Sequence, residues 1–380
     1  MTAENKTFSA GLEGVIACAT QLSHVDGTAG RLIYRGYNAV DLATSRSVEE
    51  VWYLMRHGRF PSPAELFAFI DEVEELGKLS KDEAKLVKRL AGTEPMSGFR
   101  SALSAIAAAR GYQPWLNRQS AEAHKEVMAL ACLAPAIVET LHTRRRPALK
   151  SGNGGYAERY LWGLLGEQPS PAAVAALSAY MILTMDHGLN ASTFSARVTC
   201  STGADAGAAL TSAVATLSGP LHGGAPGPVL DMLDEIGSSD KADSWVQEQL
   251  KAKRRIMGFG HRVYKTDDPR ALKLREVARQ LNSPRVDLAA TVEQSVLAAL
   301  QAHQESKPKV DGKVTRPLRT NVEFWTAVVL EYIGIPRSHF SSTFCASRIM
   351  GWSEHIREQM EGNKLFRPLS LYTGPEVKAE

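Results

Sequence analysis

Apolar positions spaced three and four residues apart dominate this chain. They recur in Val51-Trp52-Leu54-Met55, in Leu66-Phe67-Phe69-Ile70-Val73, in Val127-Leu130-Leu133-Ile137-Val138-Leu141 and in Trp325-Val328-Val329-Tyr332, the period of an α-helix that buries one face. Start signals sit where such helices would begin: Ser47 precedes Val48-Glu49-Glu50, Ser62-Pro63-Ala64-Glu65 couples a cap to a first-turn proline, and Ser170-Pro171 repeats the device. Near the N-terminus the period changes. Residues 14–20 and 31–36 read as short extended segments joined by a turn-prone stretch through Gly30. The pattern predicts a mainly α-helical fold with one small N-terminal hairpin.

Residues 201–217 are unusually small, with Gly203, Ala204, Ala206, Gly207, Ala208, Ala209, Ala213 and Ala215. Small side chains let helices approach closely, so this segment reads either as a close helix-on-helix contact, within or between subunits, or as a plain Ala-rich core helix. It is expected to stop at Gly219-Pro220, a capping glycine followed by a residue that cannot continue a helix. The polar stretch 304–319, with its lysines and Pro308, reads as an exposed connection.

Composition narrows the class. A chain of 380 residues, 44% hydrophobic and 22% charged, can bury a substantial core over two to three domains. A net charge of +3 does not argue for nucleic acid. Cys18, Cys132, Cys200 and Cys345 are scattered without CxxC spacing, which fits neither a disulfide framework nor a zinc finger and suits a reducing cytoplasm. The first ten residues lack the apolar core of a signal peptide, and apolar runs such as 130–138 and 179–185 fall short of the roughly 20 residues of a bilayer span. A cytoplasmic protein that does not enter a membrane is expected.

Candidate chemistry gathers on three histidines in glycine-bearing, turn-prone stretches. These are His187 in Asp186-His187-Gly188-Leu189-Asn190, His222 in Gly219-Pro220-Leu221-His222-Gly223-Gly224, and His261 in Gly258-Phe259-Gly260-His261. Imidazoles titrate near neutrality, and with the carboxylate Glu323 they suit proton transfer at a carbonyl; Arg270, Arg348 and Arg367 suit an anionic substrate. Around His261, Lys251, Lys253, Arg254, Arg255, Arg262, Lys265 and Arg270 crowd within twenty residues, interleaved with Gly258 and Gly260. A basic, glycine-bearing segment lets backbone approach a phosphorylated ligand. GxxxxGK[ST] and a complete dinucleotide fingerprint are missing, which removes support for ATP and NAD. No metal is expected: HExxH is missing, ligand spacing is wrong, and nearby arginines would oppose a dication. Nor is there a GxSxG serine or a cysteine in a histidine-rich context.

Several of these stretches, in order, resemble one family. Gly11-Leu12-Glu13-Gly14, Asp26-Gly27 through 31–37, Asp186-His187 with 190–194, 219–225, 258–265 with Asp268-Pro269-Arg270, and Asn321-Val322-Glu323-Phe324 look like citrate synthase over about residues 11–374. The resemblance implies an all-α fold. A large domain (1–222 and 334–380) and a small, mobile one (223–333) would close over the substrates. It implies condensation of oxaloacetate with acetyl-CoA and thioester hydrolysis, an acyltransfer without metal or redox cofactor. By position, His222 would bond the thioester oxygen, His261 would polarise and protonate the oxaloacetate carbonyl, and Glu323 would be the base. His187, Arg270, Arg348 and, across a homodimer, Arg367 would hold the substrate carboxylates and carbonyl. Arg254, Arg255, Ile256, Met257, Gly258, Phe259, Gly260 and Lys265 would lie along the CoA. The 201–217 helix would join the dimer interface.

Two departures from the family pattern stand out. Glu323 replaces the usual aspartate, and Ala225-Pro226-Gly227-Pro228 carries prolines where polar residues commonly follow the alanine. Two other functions share the motifs: a 2-methylcitrate synthase using propionyl-CoA, and a ligand-binding paralogue weakened by Glu323.

Overall fold

The computed structural model describes residues 8–147, 155–223, 226–261, 263–305 and 318–375. Helices predominate, as the periodicity requires. Three short strands come first, β1 (Ser23–Asp26), β2 (Arg31–Tyr34) and β3 (Tyr37–Asn38). Eleven helices follow: α1 (Ala39–Ser45), α2 (Val48–His57), α3 (Pro63–Leu76), α4 (Lys81–Lys88), α5 (Pro95–Ala109), α6 (Ser120–Cys132), α7 (Ala134–Thr143), α8 (Gly155–Leu165), α9 (Pro171–Thr184), α10 (Ala191–Ser201) and α11 (Ala206–Leu217). Then come α12 (Pro226–Ile236), α13 (Ala242–Lys251), α14 (Pro269–Gln280), α15 (Val286–Glu305), α16 (Val322–Tyr332) and α17 (Phe340–Glu361).

The caps read from sequence hold. Ser47 Oγ accepts from the Glu50 amide at 3.1 Å while the Glu50 carboxylate accepts from the Ser47 amide at 2.8 Å, a reciprocal capping box. Ser62 and Glu65 repeat it, and Ser170 caps α9 through the Ala173 amide. Pro226 and Pro228 both fall in the first turn of α12, where a missing N–H costs nothing.

Three expectations need correction. The apolar segment 14–20 is no strand; Val15 and Ile16 are 49% and 91% exposed. The partner of β2 is instead the polar Ser23–Asp26, in antiparallel register Ser23↔Tyr34 to Asp26↔Arg31. Asp26 decides this, because its carboxylate accepts from the Thr28 and Ala29 amides at 3.1 and 2.8 Å and closes the turn there. A third strand follows through Arg35-Gly36, both at positive φ, the two-residue turn that matches strand twist. Second, 201–217 is not one helix. α10 ends at Ser201, Gly203 turns at φ +85°, and Asp205 caps α11 by accepting from the Ala208 amide. The close packing does occur, within the subunit: α11 lies on α5, and a methyl group on Gly207 would strike Ala107 Cβ. Third, Gly219 is not a left-handed cap; Ser218 caps α11 in helical conformation.

The 24-residue stretch Ser120–Thr143 spans α6 and α7 and is long and apolar enough by composition to cross a membrane. With 72% of its most apolar window buried, it is a core element against α5, α17 and α8. Of the connection 304–319, Gln304 and Glu305 still belong to α15 and residues 306–317 lie outside the described residues; Leu318 and Arg319 are exposed, as expected.

Helix α17 is the spine. It packs on α2, α5, α6, α7, α9, α10 and α11 and is almost wholly buried between Ser342 and Ile356. Helices α12 to α16 pack chiefly on one another, reaching the rest where α14 meets α9 and α1, α16 meets α9 and α12 meets α17.

On α17 the fully buried Glu354 accepts from Trp52 Nε1 (3.2 Å), Arg56 (3.2 Å) and Arg357 (2.8 Å). Burial pushes its pKa up, but Arg56 and Arg357 outweigh this and hold it below the usual carboxylate value. The stabilisation is therefore present above the unfolded carboxylate pKa and lost as pH falls through the lowered one. Replacing Glu354 by Leu would strand two arginines; a loss of about 3–5 kcal/mol is expected in urea unfolding at neutral pH, shrinking as both proteins are taken toward strong acid.

Candidate active site

Three chain turns carry the histidines. The first follows α9, where Asp186, fully buried, anchors the backbone beside His187: its carboxylate accepts from His355 Nε2 at 3.1 Å, the Gly188 amide at 3.0 Å and Ser23 Oγ. His355 Nδ1 in turn accepts from Arg197 Nε at 3.0 Å, which places the imidazole proton on Nε2. α17 passes so close to this turn that a methyl on Gly351 would strike the Met185 carbonyl. Its Arg348, 1% exposed, donates from Nε to the Thr184 carbonyl at 2.7 Å and lies 4.8 Å from the Phe344 ring centroid. Burial lowers the Arg348 pKa, opposed by the charge of Asp186.

The second turn follows α11. His222 Nε2 accepts from the Ser192 amide at 3.3 Å and lies 2.8 Å from Ser192 Oγ. An amide N–H can only donate, so Nε2 is the acceptor and the proton of neutral His222 sits on Nδ1. Ser192 is itself held by Asn190 Oδ1 and Trp352 Nε1. Ser341 of α17 donates to the Gly223 carbonyl at 3.1 Å, pinning the turn from below.

The third turn precedes α14. His261 Nδ1 accepts from the Val263 and Tyr264 amides at 2.9 and 3.1 Å, two contacts that outweigh the single, longer approach of Arg270 to Nε2 and favour the proton on Nε2. Arg270, 3% exposed, faces Nε2 at 3.4 Å and grips Asp268 through Nε (3.0 Å) and one terminal nitrogen (2.7 Å). Tyr264 reaches back to His187 Nε2 at 3.1 Å, and the His187 and His261 rings lie 5.4 Å apart.

Burial lowers all three histidines. His222 falls to about 4, helped by Arg348, and His261 to about 4, helped by Arg270. His187 falls well below its ordinary value through burial and the charges of Arg270, His261, Arg348 and His222. At neutral pH the imidazoles are uncharged. His222 and His261 each have one nitrogen occupied by backbone N–H, so each offers a hydrogen-bond donor and neither offers that occupied nitrogen to a metal. Among the described residues no three His, Cys, Asp or Glu are grouped to hold an ion.

Glu323 opens α16, its amide donating to Asn321 Oδ1 at 3.2 Å. Burial raises its pKa; Arg270 and Arg348 pull the other way and Asp268 adds to the rise. Its carboxylate therefore shares an electrostatic environment with both arginines.

At the Gly258-Phe259-Gly260 strip, the side-chain positions of both glycines face protein. Both glycines have positive φ, but a side chain on Gly258 would meet Phe324 at 2.8 Å and one on Gly260 would meet Leu318 at 3.1 Å. These glycines make room for protein. Their backbone pairs with the segment before α16, Gly260 N to Arg319 O at 2.7 Å and Asn321 N to Gly258 O at 2.9 Å, so the loop of His261 and the helix of Glu323 are stitched together. Ile256 and Phe259 are buried and Met257 half-buried, whereas Arg254, Arg255 and Lys265 are exposed. Those three cations, with Lys251 and Lys253 beside them, are open to a ligand; Arg262 and residues 224–225 lie outside the described residues.

The structure thus gathers His187, His222, His261, Arg270, Arg348 and Glu323. Arg367 does not join them. It is exposed on the extended arm after α17, bonded to the Pro368 carbonyl at 2.8 Å. Sequence reasoning gave no role to Ser192, Tyr264, Asp268 or His355. Asp268 was readable as a cap before Pro269; Ser192, Tyr264 and His355 act on residues 30, 77 and 169 positions away and left no local signal.

The whole chain has known counterparts. A family model described as "Citrate synthase, C-terminal domain" matches residues 11–369. The citrate synthase of Synechocystis sp. is 37% identical over 387 residues, covering 98% of this chain and 93% of that protein. A citrate/2-methylcitrate synthase of Bacillus subtilis is 33% identical over 383 residues, covering 99% of each. A citrate synthase from the thermophilic archaeon Thermoplasma acidophilum, solved in ternary complex with carboxymethyl coenzyme A and oxaloacetate, superposes with a TM-score of 0.86 at 28% identity over 98% of both chains. With the fold, the histidine turns and these matches in agreement, the chain belongs to the citrate synthase family of acyltransferases.

Proposed function

We propose that this protein condenses acetyl-CoA with oxaloacetate and hydrolyses the resulting citryl thioester to citrate and CoA. The observation that carries the reading is the pair of neutral imidazoles, His222 and His261, whose tautomers are set by backbone amides so that each presents N–H beside buried arginines. Glu323 takes a proton from the thioester methyl group. His222 Nδ1–H bonds the thioester oxygen as the enol forms, and the enol carbon attacks the oxaloacetate ketone. The new alkoxide takes the Nε2 proton of His261, which regains one from solvent as Glu323 gives its own up to solvent; water then adds to the thioester carbonyl and expels CoA as the thiol. A donor that is neutral beforehand stabilises developing oxygen charge without the cost of burying a cation. His187, Arg270 and Arg348 bind the substrate carboxylates and carbonyl; Arg254, Arg255 and Lys265 meet the CoA phosphates. No metal or redox cofactor takes part in this scheme, because imidazole N–H groups fill the electrophile's role.

The same reading divides the chain into a large domain (1–222 and 334–380) and a small one (223–333) that closes to exclude water. The mutual packing of α12 to α16 supports it. It also makes the protein a homodimer in which Arg367 serves the partner's site. The terminal arms support this, exposing Phe8, Ile16, Leu365, Leu369, Leu371 and Tyr372, apolar surface that a second copy would cover. Four free cysteines support a cytoplasmic location. A second reading, 2-methylcitrate synthesis from propionyl-CoA, is favoured by the likeness to the B. subtilis enzyme named for both products.

With equal concentrations of the two acyl-CoAs, oxaloacetate-dependent release of free CoA should be faster with acetyl-CoA; a faster propionyl-CoA reaction transfers the assignment to 2-methylcitrate. His222→Ala should lower kcat by about 10²–10³ through loss of the oxygen-stabilising donor. Shortening Glu323 to Asp withdraws the base by over an ångström, and a fall in kcat of about a hundredfold is expected; a rise would point instead to a ligand-binding paralogue. Because Glu323 is raised and the histidines are lowered, the acid limb of kcat/KM should have its midpoint above 4.5, with the imidazoles titrating only at about pH 4. A midpoint below 4.5 contradicts Glu323 as the base.

A further inference from the structure

Neither the chemistry above nor the family match gives work to the N-terminal hairpin, yet it touches two of the three histidine turns at once. Its strands face the first. Ser23 Oγ donates to the Asp186 carboxylate, Tyr34 OH donates to the Asp186 carbonyl at 2.8 Å and accepts from the Asp186 amide at 3.1 Å, and a side chain on Gly188 would rest 3.3 Å from Val25. Its turn faces the other. The Gly27 carbonyl accepts from the Lys265 amide at 2.8 Å. A methyl on Gly27 would run into the Val263 carbonyl oxygen, and one on Gly30, at φ +65°, would lie 2.5 Å from Thr266 Oγ1.

The residues gripped by that turn are the ones that hold His261, since the amides of Val263 and Tyr264 bond its Nδ1. Tyr264 also bonds His187. The contacts close a ring: hairpin to Asp186, along the backbone to His187, across to Tyr264, and through Val263 and Lys265 back to the hairpin. Residues 23–34 and 186–188 are more than 150 positions apart, and the hairpin adds to the packing of α14 on α9 a second link between the His187 and His261 turns. The groups that face His261 in this ring are His187, Tyr264, Asp268 and Arg270.

We propose that the β1–β2 hairpin is a clamp that sets the distance between His187 and His261, with Gly27 and Ser23 as positioning residues for oxaloacetate. The contact at Gly27 is backbone to backbone. Any side chain there must push the 263–266 loop outward, because a peptide carbonyl cannot swing aside as a side chain can. This inference rests on the proposal that the two histidines bind oxaloacetate.

The test uses full-length Gly27→Ala and Ser23→Ala, with oxaloacetate affinity by titration calorimetry and steady-state CoA release side by side. Moving His261 by about 1 Å should lower kcat/KM for oxaloacetate about a hundredfold in Gly27→Ala. Loss of charge-assisted hydrogen bonds should weaken oxaloacetate binding at least about tenfold. KM for acetyl-CoA, whose phosphates Lys265 of the displaced loop meets, should change less than the oxaloacetate parameters in Gly27→Ala and, with the melting temperature, stay near wild type in Ser23→Ala, a split that general destabilisation would not produce. Ser23→Ala, which removes only a hydroxyl, should change the same oxaloacetate parameters in the same direction by about tenfold. If Gly27→Ala does not fold, Ser23→Ala decides alone. Wild-type oxaloacetate binding with both variants at wild-type affinity overturns the clamp, as does a loss shared equally by both substrates. Failure of the wild type to release CoA or bind oxaloacetate overturns the parent reading instead.

Discussion

Backbone amides decide which nitrogen of each imidazole carries its proton, and the candidate site depends on that. Ser192 N–H points at His222 Nε2; Val263 and Tyr264 N–H point at His261 Nδ1. A peptide N–H cannot reverse its role, so the tautomers are settled by the fold. Burial and adjacent guanidinium groups then keep both rings neutral. Neutral, singly donating imidazoles are what an enolising thioester and a ketone oxygen call for, because negative charge builds there only as the reaction proceeds.

Holding those amides in place demands a rigid frame, and α17 supplies it. Its Gly351 lets it press on the Met185 carbonyl, its Arg348 reaches the Thr184 carbonyl, its Trp352 supports Ser192, its His355 orients Asp186, and Ser341 pins the His222 turn. One buried helix thus touches the supports of two histidine turns. Burying its polar groups would be costly without partners; Glu354, Arg348 and His355 all have them. The third turn depends less on α17 and more on Asp268, the hairpin and the paired backbone of 258–260 with 319–321.

The charge balance of the site follows from the same packing. Arg270 is buried with Asp268, so one carboxylate already offsets it before any substrate arrives. Arg348 has no such direct partner, and its terminal nitrogens make no hydrogen bond to a described residue, which leaves it the freer cation for an anionic ligand. Glu323 lies within the field of both, raised by burial yet restrained by the arginines. A carboxylate so placed is a stronger base than one in water, its rise set by burial and held back by the arginines.

The amino-acid sequence by itself determined the helices with clear caps and periodicity. Ser47, Ser62 and Ser170 start helices wherever they are put, because capping is satisfied within four residues. It also carried the ordered motifs around His187, His222, His261 and Glu323. What it could not carry were choices that weigh distant partners. Residues 14–20 are more apolar than 23–26, yet the strand forms at 23–26, because Asp26 closes the turn and Ser23 and Val25 meet the Asp186 turn. Why Gly258 and Gly260 have to be glycine shows only once Phe324 and Leu318 are seen against them. The imidazole tautomers, the shifted pKa values and the His355–Asp186 bond exist only after segments up to 169 residues apart have packed. Local hydrogen bonds are written in neighbouring letters; desolvation and long-range contact are properties of the assembled interior.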